Sequence, residues 1–459
     1  MSKTKDKFFA IDLFAGCGGL SEGFYQAGFD IIAQIEMDKW ASESLRTRQL
    51  YYELKKIGRS DLYKKYLKEE ITKKEIFTKY PFINEAILNR IFQIKIESNN
   101  LQNVIKNIND SKKYHNISKV HLLLGGPPCQ PYSLIGRSRD PHRMENDKRH
   151  YLYQYYLKIL EIIQPDFFVY ENVPGLFTAK ARGNDIFKKI LSDFTKLNPP
   201  YKITPPLEKL YRQPRSYTLN SADFYIPQKR KRIVLIGYKK SLEDKNISIK
   251  NIFAKLQEMA IINRTKGYYT VDDAIGDLPR LVPGEGEDNW WGTYENEDGH
   301  DLKSYQIKMK NDSPGVINHR ARKHMKSDRA RYKFFIEHHI NGNKSATLKD
   351  LIRERPDLIP EHKHLDKFLD RFKVQWWNHP SSTITAHIGK DGHYYIHPDI
   401  SQCRSFTVRE AARCQSFPDN FKFEGPRTEQ FKQVGNAVPP KLAKVIGKII
   451  CEELIKIYS

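Results

Sequence analysis

The stretch FFAIDLFAGCGGLSEGFYQAGFDIIAQIE, residues 8–36, carries the pattern that decides the fold. Phe8–Phe14 is apolar and rich in β-forming residues, and a run of three glycines and one cysteine follows it. Leu20–Gly28 has the spacing of a helix, and Phe29–Ile35 is a second apolar strand. The stretch therefore predicts a β-loop-α-β unit with a glycine-rich first turn.

Glu36 ends the second predicted strand of this unit. In such units an acid at that position holds the ribose hydroxyls of an adenosine-type cofactor, which binds at the strand ends. The glycine turn alone is weak evidence, because Ser21 occupies the third glycine position of the dinucleotide-binding pattern. A phosphate-cradling P-loop is excluded because no GK[ST] follows the glycines.

Further strands and helices alternate along the chain. Val120–Leu124 is a short apolar strand, and it leads into GGPPCQPYS, residues 125–133. Tyr151–Gln164 has helical spacing, Phe167–Tyr170 is another buried strand, and Tyr225–Tyr238 joins a basic turn to an apolar strand. The alternation predicts an α/β fold of Rossmann-like type, with a mostly parallel sheet covered by helices on both faces.

A change in composition, toward loops and basic stretches, divides the chain into two predicted domains. The first comprises residues 1–240 and 425–459, with a charged helical insertion at about 41–118. Residues 241–424 are richer in loops and basic stretches, and they predict a smaller, irregular second domain. An amphipathic helix at 441–457 is expected to pack against the first domain.

Charge and cysteine content narrow the classes of protein. The 459 residues carry 77 basic and 55 acidic side chains, a net charge of +22 that indicates nucleic acid as a partner. The five cysteines have long spacings and form no CxxC pair, so we expect neither a zinc or other metal site nor a disulfide framework. No segment reaches the ~18 apolar residues of a membrane span, so we expect no membrane association and a reduced, cytoplasmic protein.

Several reactive side chains are predicted at one edge of the sheet. Ligands bind outside the carboxyl ends of the strands in an open α/β sheet. Glu36, Cys129, Glu171 and the turn carrying Arg230 and Arg232 all follow or precede strands at such ends. A free cysteine is usually only a small hydrophobe, but the proline-rich loop around Cys129 and the neighbouring groups favour a nucleophile.

The chain resembles the DNA (cytosine-5) methyltransferases. The matching motifs, in the order of that family, are DLFAGCGGLSEGF, GGPPCQPYS, ENV, QKRKR, REAARCQSFPD and QVGNAVPP. They extend from residue 8 to residue 440, so the resemblance covers most of the chain apart from 41–118 and the middle of the second domain. It implies a catalytic domain and a target-recognition domain.

The resemblance implies methyl transfer from S-adenosylmethionine to carbon 5 of cytosine within a specific sequence of double-stranded DNA. Cys129 would add to carbon 6 of a flipped-out base, and Glu171 would contact ring nitrogen 3 and supply a proton. Arg232 would hold the carbonyl oxygen of the base, and Arg230 would support the loop. The other residues expected near the target are Pro127, which would offer its carbonyl to the amine, Gln130 and Ser133.

The resemblance also implies a cofactor site. Phe14 and Met37 would cover the adenine, and Glu36 would hold the ribose. Asn100 stands where the family usually has an acid that meets the adenine amine. The full set of expected cofactor residues is Phe14, Gly16, Gly18, Gly19, Glu36, Met37, Asn100, Pro128, Asn436 and Ala437.

Other expectations concern partners and alternatives. Arg409, Glu410 and Gln415 resemble a structural bridge between the domains. The size favours a monomeric enzyme of a bacterial restriction–modification system, with a cognate endonuclease encoded nearby, and a solitary enzyme is an alternative. The rival functions are a tRNA cytosine methyltransferase of the same fold and a catalytically silent DNA-binding module. Residues 240–405, including NHRARKH and QWWNHP, are predicted to read the DNA sequence.

Overall fold

A mostly parallel sheet forms the centre of the molecule. The computed structural model describes residues 7–128, 152–181, 184–204, 212–245, 251–294, 302–342, 345–361 and 369–459. Within these residues the sheet has eight strands in the order β3-β2-β1-β4-β5-β10-β8, with β9 paired to β10. The strands are β1 Phe8–Leu13, β2 Phe29–Glu36, β3 Ile91–Gln93, β4 Leu122–Gly125, β5 Phe167–Asn172, β8 Tyr201–Thr204, β9 Thr218–Asn220 and β10 Lys231–Lys239; the small ribbon β6 Lys180–Ala181 and β7 Asn184–Asp185 lies apart from them.

The directions of the strands place their functional ends together. Strands β3, β2, β1, β4 and β5 are parallel, whereas β10 is antiparallel to β5, β8 and β9. The first residues of β10 therefore lie at the edge where the parallel strands end. The order of the strands reverses between β1 and β4, which is where ligands bind in folds of this class.

Helices cover both faces of the sheet, as the alternating sequence predicted. One face packs against α1 Gly19–Ala27, α9 Ile252–Thr265 and α16 Pro440–Tyr458. The other face packs against α6 Leu101–Tyr114, α7 Leu152–Ile163 and α8 Ile186–Thr195. Strand β1 contributes to both cores, because Phe8 and Ala10 point into the first and Ile11 and Leu13 into the second.

The segment predicted as a helical insertion, about 41–118, is only partly an insertion. It holds α2 Lys39–Lys56, α3 Ser60–Leu67, α4 Lys73–Lys79 and α5 Pro81–Leu88, then β3 and α6. Strand β3 pairs with β2 as an edge of the central sheet, and α6 packs in its core. The sequence predicted a helical insertion here and did not give the bounds of β3, because a run of three residues is too short to show strand periodicity.

Helices α3–α5 share a core with part of residues 241–424, the predicted second domain, which forms the second region of the chain. Tyr63, Ile83 and Ile317 are buried in one cluster, and Trp290 packs against it. Trp290 and Ile317 face each other in a two-stranded ribbon, β11 Gly286–Gly292 and β12 Val316–Arg320. The phenol of Tyr63 also donates to the carbonyl of Asn420 at 3.0 Å. The inserted helices are therefore packed against the second region and not only exposed to solvent.

The rest of the second region is built from short helices and turns. Its helices are α10 Val271–Ile275, α11 Ser304–Lys310, α12 Lys326–Gly342, α13 Leu348–Glu354 and α14 Val408–Cys414; α15 Arg427–Asn436 follows beyond residue 424. Helix α9 packs on the sheet, although the sequence assigned residues from 241 onward to the second domain. Within the described ranges, no helix combines the length and the apolar character needed to cross a membrane.

Candidate active site

The glycine turn after β1 is tied to the end of β2 by Glu36. The Gly16 amide donates to Glu36 Oε2 at 2.8 Å, and the Asp38 amide donates to Oε1 at 2.7 Å. Burial raises the pKa of Glu36, and these two amides oppose the rise. Each carboxylate oxygen keeps further acceptor capacity. Glu36 can therefore hold the turn and still accept hydroxyl donors from a ligand.

The three glycines predicted to approach a cofactor have different surroundings. A Cβ at Gly16, whose φ is +56°, would meet no atom of the described residues within 4 Å. A Cβ at Gly18 would lie 2.6 Å from the Leu45 side chain, and a Cβ at Gly19 would overlap the Val438 carbonyl. Of the three, only Gly16 has space for a Cβ among the described residues. Glycine is required at 18 and 19 because the turn packs closely against Leu45 and Val438.

The other predicted cofactor residues are distributed around this turn. Phe14 has a φ of +57° and is half-buried at the end of β1, and Met37 is 58% exposed after β2. Ala437 is buried beside the glycine turn, where a Cβ at Gly19 would be 3.1 Å from its own Cβ. Asn436 precedes it and is exposed.

Asn100 stands apart from that group. It is the residue before α6, seven positions beyond the end of β3, and its amide lies 3.5 Å from Glu97 Oε1. No hydrogen bond of the described residues joins its side chain to the glycine turn or to Glu36. Its contact with an adenine stays a prediction.

The end of β4 packs against the Tyr156 ring, and the loop that follows it packs against the Glu171 carboxyl group. A Cβ at Gly125 would lie 2.7 Å from the Tyr156 ring, and a Cβ at Gly126 would lie 3.0 Å from Glu171 Oε2. The amide of Asn172 lies 3.5 Å from the Pro127 carbonyl. Both glycines allow this loop to lie directly against the end of β5. Because Gly125 and Gly126 have no side chains, the segment that leads to Pro128 lies beside Glu171.

Three predicted site residues follow this loop: Cys129, Gln130 and Ser133. All three lie outside the described residues, which stop at Pro128 in this segment. Pro128 itself is half-buried. The roles of the nucleophile and of the two target-contacting residues therefore stay predictions.

Glu171 and Arg232 form an ion pair at the edge of the sheet. Arg232 Nε lies 2.8 Å from Glu171 Oε1, and the side chains are 10% and 13% exposed respectively. Burial raises the pKa of Glu171, and the Arg232 guanidinium opposes that rise. A carboxyl group with a raised pKa keeps a proton closer to neutral pH, so Glu171 is suited to act as a proton donor.

Arg230 has no access to a substrate. It is fully buried and donates to the main-chain carbonyls of Ile384 at 2.5 Å, Gly435 at 3.0 Å and Ala437 at 2.8 Å. The sequence placed Arg230 with the catalytic residues at the edge of the sheet, and the resemblance implied that it supports the loop. Alternation along a strand places the two side chains differently, and Arg230 has a structural position.

The REAARCQ motif is a buried scaffold, as its resemblance implied. Glu410 forms an ion pair with Arg404 at 2.6 Å, and Arg409 donates to the Phe421 carbonyl at 2.7 Å. Gln415 donates to the Val434 carbonyl, and Arg413 holds Asp419 through two bonds of 2.6 Å. These bonds join α14 to the segments on either side of it.

The basic stretch NHRARKH is less available to DNA than the sequence predicted. Asn318 is buried and donates to the carbonyls of Asp288 and Phe423. His319 is buried between the Thr407 hydroxyl and the Pro279 carbonyl. These two side chains cannot reach a base edge, whereas Arg320 is exposed.

One residue near the site was not singled out from the sequence. Asp12 is fully buried in β1 and accepts a bond of 2.6 Å from Ser21, whose hydroxyl also receives the Gln34 amide. Burial raises the pKa of Asp12 to about 7. An acid inside an otherwise apolar strand was the available signal. The hydrogen bonds between Asp12, Ser21 and Gln34 join β1, α1 and β2 and so stabilise the glycine turn.

The strand order, the glycine turn and the acid after β2 define the S-adenosylmethionine-dependent methyltransferase fold. The family model described as C-5 cytosine-specific DNA methylase matches residues 8–78 and 85–452. The chain belongs to this family, and it is a DNA cytosine-5 methyltransferase.

Individual relatives agree with this assignment. The chain is 41% identical over 456 residues to the type II methyltransferase M.Bpa9945I of Bacillus paralicheniformis, covering 96% of this chain and 98% of the relative. It is 29% identical over 450 residues to the type II methyltransferase M.DdeI of Desulfomicrobium norvegicum, covering 96% and 88%. A crystal structure described as a DNA modification methyltransferase encoded within a prophage (E. coli) has a TM-score of 0.60 at 22% identity, with coverage of 98% and 99%. At that identity the structure supports the fold alone.

Proposed function

We propose that the enzyme methylates carbon 5 of a flipped-out cytosine, within a specific sequence of double-stranded DNA, by transient covalent addition of Cys129 to carbon 6. The observation that carries the proposal is the Glu171–Arg232 ion pair, in which Arg232 Nε lies 2.8 Å from Glu171 Oε1. This pair lies beside the loop that leads to Cys129. Gly126 lies against the Glu171 carboxyl group, since a Cβ at this position would be 3.0 Å from Glu171 Oε2.

The proposed residues divide the chemistry between them. The Cys129 thiolate forms a bond to carbon 6 while Glu171 gives a proton to ring nitrogen 3, which makes carbon 5 nucleophilic. Arg232 holds the carbonyl oxygen of the base. Once carbon 5 carries the methyl group, water accepts the carbon-5 proton, the carbon–sulfur bond breaks to release the Cys129 thiolate, and ring nitrogen 3 returns its proton to Glu171. A stacked base cannot be reached from its face, so the cytosine must leave the duplex.

The methyl donor in this proposal is S-adenosylmethionine, which supplies an electrophilic methyl group when bound. The chain's residues fit such a ligand: Gly16 faces open space, Met37 is exposed and the Glu36 carboxylate keeps acceptor capacity. Glu36 would hold the ribose, and Phe14 and Met37 would cover the adenine. Pro128, Asn436 and Ala437 would line the methionine end.

A covalent trap tests the proposal. Bisulfite sequencing of a plasmid from cells that express the enzyme would first identify the methylated sequence. A duplex with 5-fluorocytosine at that position should then form a stable adduct, because fluorine cannot leave carbon 5 as a proton does. Cys129→Ala should form no adduct, and the control Cys403→Ala should form it at the wild-type rate. An adduct in Cys129→Ala would refute the assignment.

The role of Glu171 has its own test. Glu171→Gln keeps the shape of the side chain but cannot donate an acidic proton, so adduct formation should slow by about 10²–10⁴-fold. DNA binding, measured by fluorescence anisotropy, should change little. A Glu171→Gln enzyme with the wild-type rate would remove Glu171 from the reaction.

We also propose that the enzyme acts as a monomer in a type II restriction–modification system, alongside a cognate endonuclease. The full-length similarity to M.Bpa9945I, a type II methyltransferase, supports this setting. Plasmid from expressing cells should resist an endonuclease with the same recognition sequence. Sedimentation equilibrium tests the monomer, and a dimer at micromolar concentration would contradict it.

A further inference from the structure

The turn that carries Arg232 is held by a segment of the second region. The amide of Lys229 donates to the Ser381 carbonyl at 2.8 Å, and the amide of Ser381 donates to the Pro227 carbonyl at 2.9 Å. This is a short parallel bridge between the turn and residues 381–384, which lie far from it in the sequence. The start of β10 is therefore fixed by the region predicted to read DNA.

The side chain of Gln228 completes this connection. It is fully buried, its Oε1 accepts from the Ile384 amide at 3.0 Å, and its Nε2 donates to the Cys414 carbonyl at 3.3 Å. One amide group thus joins the turn to residues 381–384 and to the end of α14. Both of its polar ends are satisfied, so its orientation is fixed.

Arg230 extends the same connection toward the predicted cofactor site. Its guanidinium contacts Ile384, Gly435 and Ala437, and the last two flank Asn436. The turn is therefore joined on one side to residues 381–384 and on the other to the segment before α16.

We propose that Gln228 is a positioning residue, which keeps Arg232 aligned with Glu171 and makes that alignment depend on the seating of residues 381–384. The inference rests on the proposed role of the Glu171–Arg232 pair in holding the target base. Gln228 precedes Arg232 by four positions, and β10 begins at Lys231 between them, so a movement of the turn is transmitted to the Arg232 guanidinium. Seating of this segment on DNA would thereby align the groups that hold the flipped base.

The test compares two buried glutamines. Gln228→Met removes both bonds of the positioning amide and keeps its volume. The control Gln306→Met removes an equivalent pair, because Gln306 is buried, accepts from the Lys303 amide at 2.9 Å and donates to the Asp272 carbonyl at 3.0 Å away from the turn. Both variants should melt at lower temperature than the wild type.

Only Gln228→Met should slow chemistry. We expect its single-turnover methylation rate to fall at least about tenfold below that of Gln306→Met, with an unchanged Kd for DNA. The pH profile should also move. Because Arg232 lowers the pKa of Glu171, poorer alignment raises it, and the loss of activity at high pH should shift to higher pH.

The outcomes separate this inference from the proposed function. Equal rates and equal pH profiles in the two variants would overturn the positioning role of Gln228, while a wild-type adduct with 5-fluorocytosine would leave the proposed function standing. If Gln228→Met does not fold, Gln228→Glu keeps the acceptor for Ile384 and loses the donor to Cys414. It should show the same slower rate, and a wild-type rate in that variant would overturn the inference.

Discussion

Removal of the Glu36 carboxylate should weaken cofactor binding and loosen the glycine turn. Glu36→Ala loses two charge-assisted bonds, of 2.8 Å to the Gly16 amide and 2.7 Å to the Asp38 amide. The proposed ribose bonds are lost as well. A hydrogen bond to a charged group contributes about 1–3 kcal/mol, so the Kd for S-adenosylmethionine should rise roughly 5- to 150-fold.

Isothermal titration of the folded variant with S-adenosylmethionine measures this change. The matched control is Asp38→Asn, which alters a neighbouring charge but keeps a side-chain acceptor for the Ala41 amide at the start of α2. Its affinity should equal that of the wild type. If Glu36→Ala binds the cofactor with wild-type affinity while its melting temperature falls, Glu36 only supports the turn, and the ribose contact is refuted.

Three further predictions concern the fold around the site, each read from urea unfolding. Gly125→Ala should lose about 1–3 kcal/mol, since its Cβ would lie 2.7 Å from the Tyr156 ring; unchanged stability would show that the ring moves freely. Burial lowers the pKa of His319 to about 4, and the unfolded chain binds its proton below about pH 6.5, so stability should fall by up to about 3 kcal/mol as pH drops between these values. The stability lost at acid pH should be smaller in His319→Gln than in the wild type. An equal loss in both would show that groups other than His319 cause it. Arg413→Met should cost about 3–5 kcal/mol, because it leaves Asp419 buried without its bidentate partner, and a neutral effect would contradict that reasoning.

The strands that flank the site were predictable because each is a mostly apolar run with a glycine or an acid at or near its end. Phe29–Glu36 and Phe167–Asn172 are examples, and their carboxyl ends meet at one edge of the sheet. The placement of Glu171 and Arg232 at one edge followed from that geometry, whereas their direct ion pair was not predicted. The three-residue strand β3 did not, since its position depends on pairing with β2 and not on its own pattern.

Sequence reasoning failed where a polar residue is satisfied by distant main chain. Arg230 and Arg232 occupy the same basic turn, yet one is bonded to the carbonyls of residues 384–437 and the other to an acid. Asn318 and His319 look like DNA-contacting groups in a basic stretch, but their partners are separated from them by up to about a hundred residues. Local composition carries no information about such partners.

The core shared by helices α3–α5 and the ribbon β11–β12 limits which segments of this enzyme can be exchanged with those of relatives. Trp290 and Ile317 pack against side chains from residues 51–91, so a graft of residues 280–400 alone would bring a ribbon whose buried face meets foreign helices. A recombinant that also transfers residues 60–88 keeps both halves of this interface. The part of the chain that packs together with this ribbon is therefore discontinuous in sequence, and an exchange confined to the second region should yield less stable enzymes.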